Sequence, residues 1–269
     1  MAIKGQTIWV TGASSGIGQE AARQFAKLGN RVILSARSEE KLRNFASELP
    51  EDSNPIILPL DLSDETSITK AIDGLITDRA IPNLVFHAGG ISQRSYLIDT
   101  SLEVDRRIME VNYFGTISLT KKILPEMLKQ GGGQFAVVSS LVGLFGYGVR
   151  SAYSASKHAL HGFFESLDIE LGDSGFTSTM ICPGGVQTNI SKNALMGDGK
   201  ESGVMDEMQS GGMPVDEAVS KMITAIENKR KLIIIGSFKE KLGVFLSKHF
   251  PSVFFKIASK QNPRGTVKL

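Results

Sequence analysis

Seven short runs of apolar, largely β-branched residues punctuate the chain, and almost none of them alternates with polar residues. They are "TIWV" at 7–10, "RVILSA" at 31–36, "PIILPL" at 55–60, "NLVFHA" at 83–88, "GQFAVVSS" at 133–140, "STMICP" at 178–183 and "KLIIIG" at 231–236. A strand that is apolar at every position cannot turn one face to water, so both of its faces must be covered. Strands buried that way pair in parallel, and each parallel pair needs a long crossover between its members. Helical patterns at 17–28, 39–49, 64–78, 101–129, 152–173 and 215–228 supply those crossovers. Ser63 or Asp64 starts the third helix and Gly29 stops the first. The pattern predicts an α/β fold: a doubly wound, parallel, seven-stranded sheet in three layers with right-handed crossovers. No linker and no internal repeat interrupts it. Residues 1–236 therefore read as a single domain, and residues 237–269 as a C-terminal extension.

The glycines of "TGASSGIG", residues 11–18, fall between the first strand and the first helix. Gly12, Gly16 and Gly18 allow a tight turn, close backbone approach and close helix packing. The helix start then presents N–H groups to a pyrophosphate, which is the Rossmann device for dinucleotides. Ser14, Ser15 and Ile17 complete the loop as cofactor-binding candidates. The spacing G-x-x-x-G-x-G is wider than the usual fingerprint, so its placement between strand and helix carries the argument. The carboxylate expected about 20 residues on, for the ribose hydroxyls of NAD, is missing. The second strand ends instead in Ala36 and Arg37. A guanidinium there can fork onto a 2′-phosphate, which predicts NADP(H) as the cofactor.

"SAYSASKHAL", residues 151–160, sets Tyr153 and Lys157 one helical turn apart on one face. Such a pair is either an exposed helix face or a proton donor whose pKa the cation lowers. Four features in register favour the second: "TGASSGIG", "HAGG" at 87–90, Asn112 in "EVNYFG", and Tyr153 with Lys157. Together they resemble the short-chain dehydrogenase/reductase family over nearly the whole chain. The resemblance implies Ser140, thirteen residues before the tyrosine, as a further catalytic residue. It implies that Asn112 kinks its helix and holds a water linking Lys157 to solvent, and that Lys157 binds the nicotinamide ribose. It adds Asp61, Leu62, Ala88, Gly89, Pro183, Gly184, Val186 and Thr188 to the cofactor site, with Tyr153 and Lys157. The family reads Asn-Asn-Ala-Gly after the fourth strand. His87 here replaces the second Asn, and an imidazole bonded to main chain would be a tolerated change. "GGISQRSYLIDTS" and the tail are similar to the branch of membrane-associated reductases of lipid, steroid and retinoid carbonyls.

Composition limits the alternatives. The 269 residues are 41% hydrophobic and 22% charged, an ordinary globular balance. One cysteine, Cys182, excludes an internal disulfide and fits a reducing, cytoplasmic setting. No apolar run approaches the roughly 18 residues of a membrane span, and a strand pattern from residue 6 leaves no room for an N-terminal anchor. His158 and His161 are the one pair spaced to share a metal, but no third ligand accompanies them, so no metal site is expected. The net charge of +2 hides an asymmetry: residues 229–269 hold ten Lys or Arg and one acid, Glu240.

In that tail Phe238, Leu242, Phe245, Leu246, Phe250, Val253, Phe254 and Ile257 recur at helical spacing, flanked by Lys239, Lys241, Lys248, Lys256 and Lys260. Pro251 should divide the stripe into two helices. The stripe either packs on the body or lies peripherally on an anionic membrane, and it suits neither nucleic acid nor a spanning helix. The glycine- and methionine-rich stretch 187–213 reads as a substrate lid. The whole predicts an NADPH-dependent reductase of a small, fairly apolar ketone or aldehyde, or an NADP-dependent dehydrogenase of a secondary alcohol, with Tyr153 as acid/base. The alternative is a non-catalytic NADPH-binding protein that reports to a partner. The family's usual pairing of the long helices implies a homodimer or homotetramer.

Overall fold

The computed structural model describes residues 3–172 and 174–261. Seven strands form one parallel sheet: β1 (Thr7–Thr11), β2 (Arg31–Ser35), β3 (Ile56–Ile57), β4 (Leu84–His87), β5 (Gln134–Val138), β6 (Thr177–Pro183) and β7 (Leu232–Ile235). Their order is β3-β2-β1-β4-β5-β6-β7, so the winding reverses between β1 and β4. Ligands bind α/β sheets in the crevice at such a reversal. In β1, Ile8 and Val10 face one layer and Trp9 the other, and all three are fully buried. That alternation explains why the strand is apolar at every position.

Helices α1 (Gly16–Lys27) and α2 (Glu39–Ala46) lie on the Ile8 side, and α3 (Glu65–Thr77) on the Trp9 side. The expected helix 101–129 is α4 (Leu102–Met109) and α5 (Gly115–Lys129), joined by a π-turn over Glu110–Phe114. The wider turn is where Asn112 sits. α6 (Ser151–Leu171) packs beside α5 on the Trp9 side. Strand β3, at the edge of the sheet, is shorter than expected. Leu58 and Leu60 still donate to Leu34 and Ala36 and extend the ladder informally.

Residues 187–213 have one short helix, α7 (Glu207–Ser210), and fold back through bridges of Leu195 to Gln93 and Glu201. α8 (Val215–Glu227) returns to the Ile8 layer. Beyond β7, α9 (Phe238–His249) opens with a capping box of Ser237 and Glu240. Pro251 begins α10 (Pro251–Ala258), so the stripe divides where expected. Val244 packs with Leu141 and Cys182, and Phe254 lies 4.9 Å from the Phe145 ring. The other flank of the tail is open: Phe238 is 80% exposed and Phe255 62%. Among the described residues no helix is long and apolar enough to cross a membrane.

Candidate active site

A cleft of about 1800 Å³ runs along the carboxyl ends of β1, β2, β4, β5 and β6. Its floor at one end is the glycine turn. Gly12 and Gly16 have φ of +69° and +55°, a region that disfavours side chains. A Cβ on Gly12 would lie 2.8 Å from the Gly89 nitrogen, and one on Gly18 would strike the Gly12 carbonyl. Thr11 Oγ1 accepts from the N–H groups of Ala88 and Gly89, at 3.2 and 3.1 Å, tying β1 to the loop after β4. Helix α1 starts with no side-chain cap at Ser15 and no acid in its first turn. Such a helix start favours an anion. Ser14, Ile17, Asp61 and Leu62 line the same cleft.

Arg37 lines the cleft with Ser38 and Lys41, two residues that the sequence reading missed. Lys41 falls four residues after Arg37, in the first turn of α2, a spacing that could have signalled a second cation for the same anion. Burial raises the Asp61 pKa, but hydrogen bonds from Ser63 and the charges of Arg37 and Arg107 outweigh it and hold the carboxyl below its usual range. The glycine cradle, the uncapped helix start and the clustered cations fit a phosphorylated dinucleotide.

The inner end of the cleft gathers the remaining candidates. Tyr153 and Lys157 are both buried on the first turns of α6. Lys157 Nζ donates to the Val138 carbonyl at 2.8 Å and lies 5.7 Å from the Tyr153 ring centre. Ser140 caps the turn after β5, its Oγ accepting from Val142 N at 3.4 Å, and its hydroxyl is near enough to Tyr153 to lower the phenol's pKa. Asn112, fully buried, accepts from Ile91 N at 2.8 Å and donates to Ile91 O and Ser156 Oγ. It thereby fastens the loop after β4 to α6. A Cβ on Gly90 would lie 3.1 Å from Asn112 Oδ1 and 3.6 Å from Lys157 Nζ, so these groups share one small space.

The electrostatics differ from the simple expectation. Burial raises the Tyr153 pKa, and Arg150 and Ser140 oppose it only in part. Lys157 is itself lowered to about 8 by burial. Two neighbours of Tyr153 went unnoticed in the sequence. Gln93, buried, accepts from Ala152 N at 2.9 Å and sets the start of α6. Arg150 pairs with Asp206 of the 187–213 segment at 2.7 Å. Neither carries a spacing signal, since each partner is distant in sequence.

Pro183, the last residue of β6, and Gly184, Val186 and Thr188 after it line the cleft. A Cβ on Gly16 would lie 3.2 Å from Thr188 Cγ2, so this loop closes over the glycine turn. His87 does not bond to main chain as expected. Its Nε2 meets Thr120 Oγ1 at 3.1 Å, and the ring packs between Phe135 and Phe164. The β4 backbone is committed to the sheet, so the imidazole turns to a helix hydroxyl instead. His158 and His161 do not converge: one faces the Ser154 carbonyl, the other Ser139 Oγ.

A parallel sheet with this reversal, a glycine cradle and a Tyr–Lys pair at the carboxyl ends defines an oxidoreductase built for a dinucleotide. The chain belongs to the short chain dehydrogenase family, whose model matches residues 6–198. Among curated relatives, Dehydrogenase/reductase SDR family member 7B of Xenopus tropicalis is 36% identical over 253 residues, covering 91% of this chain and 82% of that protein. A short chain dehydrogenase from Shigella flexneri, solved with NADP, shares 28% identity at a TM-score of 0.75, covering 86% of this chain and 96% of that one. One from Burkholderia phymatum, solved with NAD, has a TM-score of 0.82 at 20% identity, covering 94% and 96%, a likeness of fold.

Proposed function

We propose that the protein is an NADPH-dependent carbonyl reductase of a fairly apolar ketone or aldehyde, able to run in reverse on the secondary alcohol. The carrying observation is that Ser140, Tyr153 and Lys157 meet at the inner end of a cleft whose outer end holds Arg37 and Lys41. A bound nicotinamide would supply hydride to the carbonyl carbon. Tyr153 donates the proton to the carbonyl oxygen, and Ser140 holds that oxygen by a hydrogen bond. A phenol that burial keeps protonated suits the reduction direction. Lys157, with a pKa near 8, is mostly cationic at neutral pH and favours the phenolate left behind. Arg37, Ser38 and Lys41 support a 2′-phosphate, and the Shigella flexneri protein solved with NADP is higher in sequence identity, 28% against 20%, than the Burkholderia phymatum protein solved with NAD.

In this reading residues 1–236 carry cofactor and chemistry, residues 187–213 form the lid, and the tail is a roof. The outward aromatic residues Phe238 and Phe255, bordered by lysines, support a second element: peripheral contact with an anionic membrane surface. Exposed Phe114 and Ile169, at the head of α5 and on α6, support pairing with a second copy.

Tyr153→Phe tests the reading. It removes one hydroxyl, should leave NADPH affinity within about twofold, and should lower kcat by about 100-fold or more. Substantial turnover by that variant on a carbonyl compound the parent reduces would discard the mechanism. Cofactor binding without any turnover by the parent, across ketosteroids, 3-oxoacyl esters, retinal and quinones, would favour the non-catalytic alternative.

A further inference from the structure

Glu240 is the one acidic residue from Lys229 to the C-terminus, and it is placed between the tail and the loop after β6. Its Oε2 accepts from Ser237 N at 2.7 Å and from Ser237 Oγ at 2.9 Å, and its own N–H donates to Ser237 Oγ at 3.3 Å. That much is a capping box, a local device of many helix starts. Oε1, however, accepts from Gly185 N at 2.9 Å, 55 residues back along the chain. A capping box does not require that contact.

Two glycines make room for it. A Cβ on Gly184 would collide with the Glu240 carboxyl, and one on Gly236 would stand 2.8 Å from Oε2. The turn is also held from its other sides, since Gly184 N donates to Ile235 O and Gly185 O accepts from Met213 N, both at 2.8 Å. β7, the end of the lid and the tail thus meet on two residues, Gly184 and Gly185, and Glu240 is the tail's share. A backbone N–H given to a carboxylate is stronger than one given to a neutral acceptor. One turn further along, Leu242 and Leu246 of α9 line the cleft.

We infer that Glu240 is a positioning residue for the cofactor: it holds the Pro183–Val186 turn and couples the seating of α9 to it. The inference rests on the proposed function, in which that turn is part of the wall of the dinucleotide cleft. It predicts that a residue of the tail, which need not touch the cofactor, governs cofactor affinity.

Ser237→Ala gives the matched control. It removes the hydroxyl side of the capping box and leaves the bond from Gly185. The readout is the NADPH dissociation constant by cofactor fluorescence, with circular dichroism and Tm reporting the fold. Glu240→Ala should weaken NADPH binding about tenfold, the scale of one lost charge-assisted hydrogen bond. Ser237→Ala should lower Tm comparably yet bind NADPH within about twofold of the parent. Glu240→Gln keeps an oxygen for Gly185 and should recover most of the affinity. Should Glu240→Ala not fold, Glu240→Asp serves in its place. It keeps the charge but is too short to span Ser237 and Gly185, and it should weaken binding as the alanine would. Equal NADPH affinity in the Glu240 and Ser237 variants overturns the inference. A parent that binds no dinucleotide overturns the reading of the site itself, and the inference with it.

Discussion

His87 shows how one substitution is absorbed by its surroundings. Burial among aromatic rings lowers its pKa to about 3, with the Lys157 charge acting in the same direction. The neutral ring is favoured in the folded state, so its contribution is complete above the ordinary histidine pKa. It is lost as pH falls from about 6.5 toward 3, at about 1.4 kcal/mol per pH unit while the unfolded chain is protonated and the folded chain is not. His87→Asn should therefore flatten the acid limb of stability, measured by urea unfolding between pH 7 and 4. An unchanged slope would assign acid sensitivity elsewhere, with His161, lowered to about 4, the next group to test. Arg37 carries a separate expectation. Arg37→Ala should erase most of a roughly 10- to 150-fold preference for NADPH over NADH by weakening NADPH alone. Equal weakening of both cofactors would make Arg37 structural.

At the scale of elements, residues 187–213 are tied to the body by backbone bonds and by one ion-paired carboxylate. Asp206 Oδ2 lies 3.0 Å from Arg94 Nη1 and 2.7 Å from Arg150 Nη2, with all three side chains less than one-fifth exposed. Arg94 follows β4 and Arg150 precedes Tyr153, so the segment is latched to both walls of the substrate end. Asp206→Ala would leave two guanidinium groups facing each other without their shared carboxylate. It should raise the substrate KM by about tenfold and speed proteolysis within 187–213, while NADPH affinity stays within about twofold. Unaltered KM and proteolysis would show that the segment is held instead by its backbone bonds to Ser92, Arg94, Ser101 and Gly185. The π-turn at Glu110–Phe114 is the other element that matters. Its extra residue lets buried Asn112 reach both Ile91 and Ser156.

For the molecule as a whole, the tail decides how the cleft meets its surroundings. One side of it packs through Val244 and Phe254, and the other presents aromatic rings beside Lys239, Lys241, Lys248, Lys256 and Lys260. Each lysine near an anionic surface contributes about 1 kcal/mol, an attraction that salt screens. Truncation after Gly236 would also remove Glu240 and Val244, so point variants make the better test. The full chain should co-sediment with anionic but not neutral vesicles at low salt, and Phe238→Ser with Phe255→Ser should leave it in the supernatant. A parent that stays in the supernatant with anionic vesicles would reduce the stripe to packing and surface.

The sequence by itself determined the parallel sheet, the glycine turn at its switch point and the division of the tail at Pro251. Each is a short-range property: apolar periodicity, a missing side chain or a missing N–H acts within a few residues. The Tyr153–Lys157 spacing was legible for the same reason, since one helical turn places both on one face. Tertiary structure alone decided what those groups experience. The opposite shifts of Tyr153 and Lys157 come from burial, which many distant segments impose together. The bonds of His87 to Thr120, Arg150 to Asp206 and Gly185 to Glu240 join residues 33, 56 and 55 positions apart. No periodicity encodes such pairs, because they exist only once the crossovers have brought the carboxyl ends of the strands together.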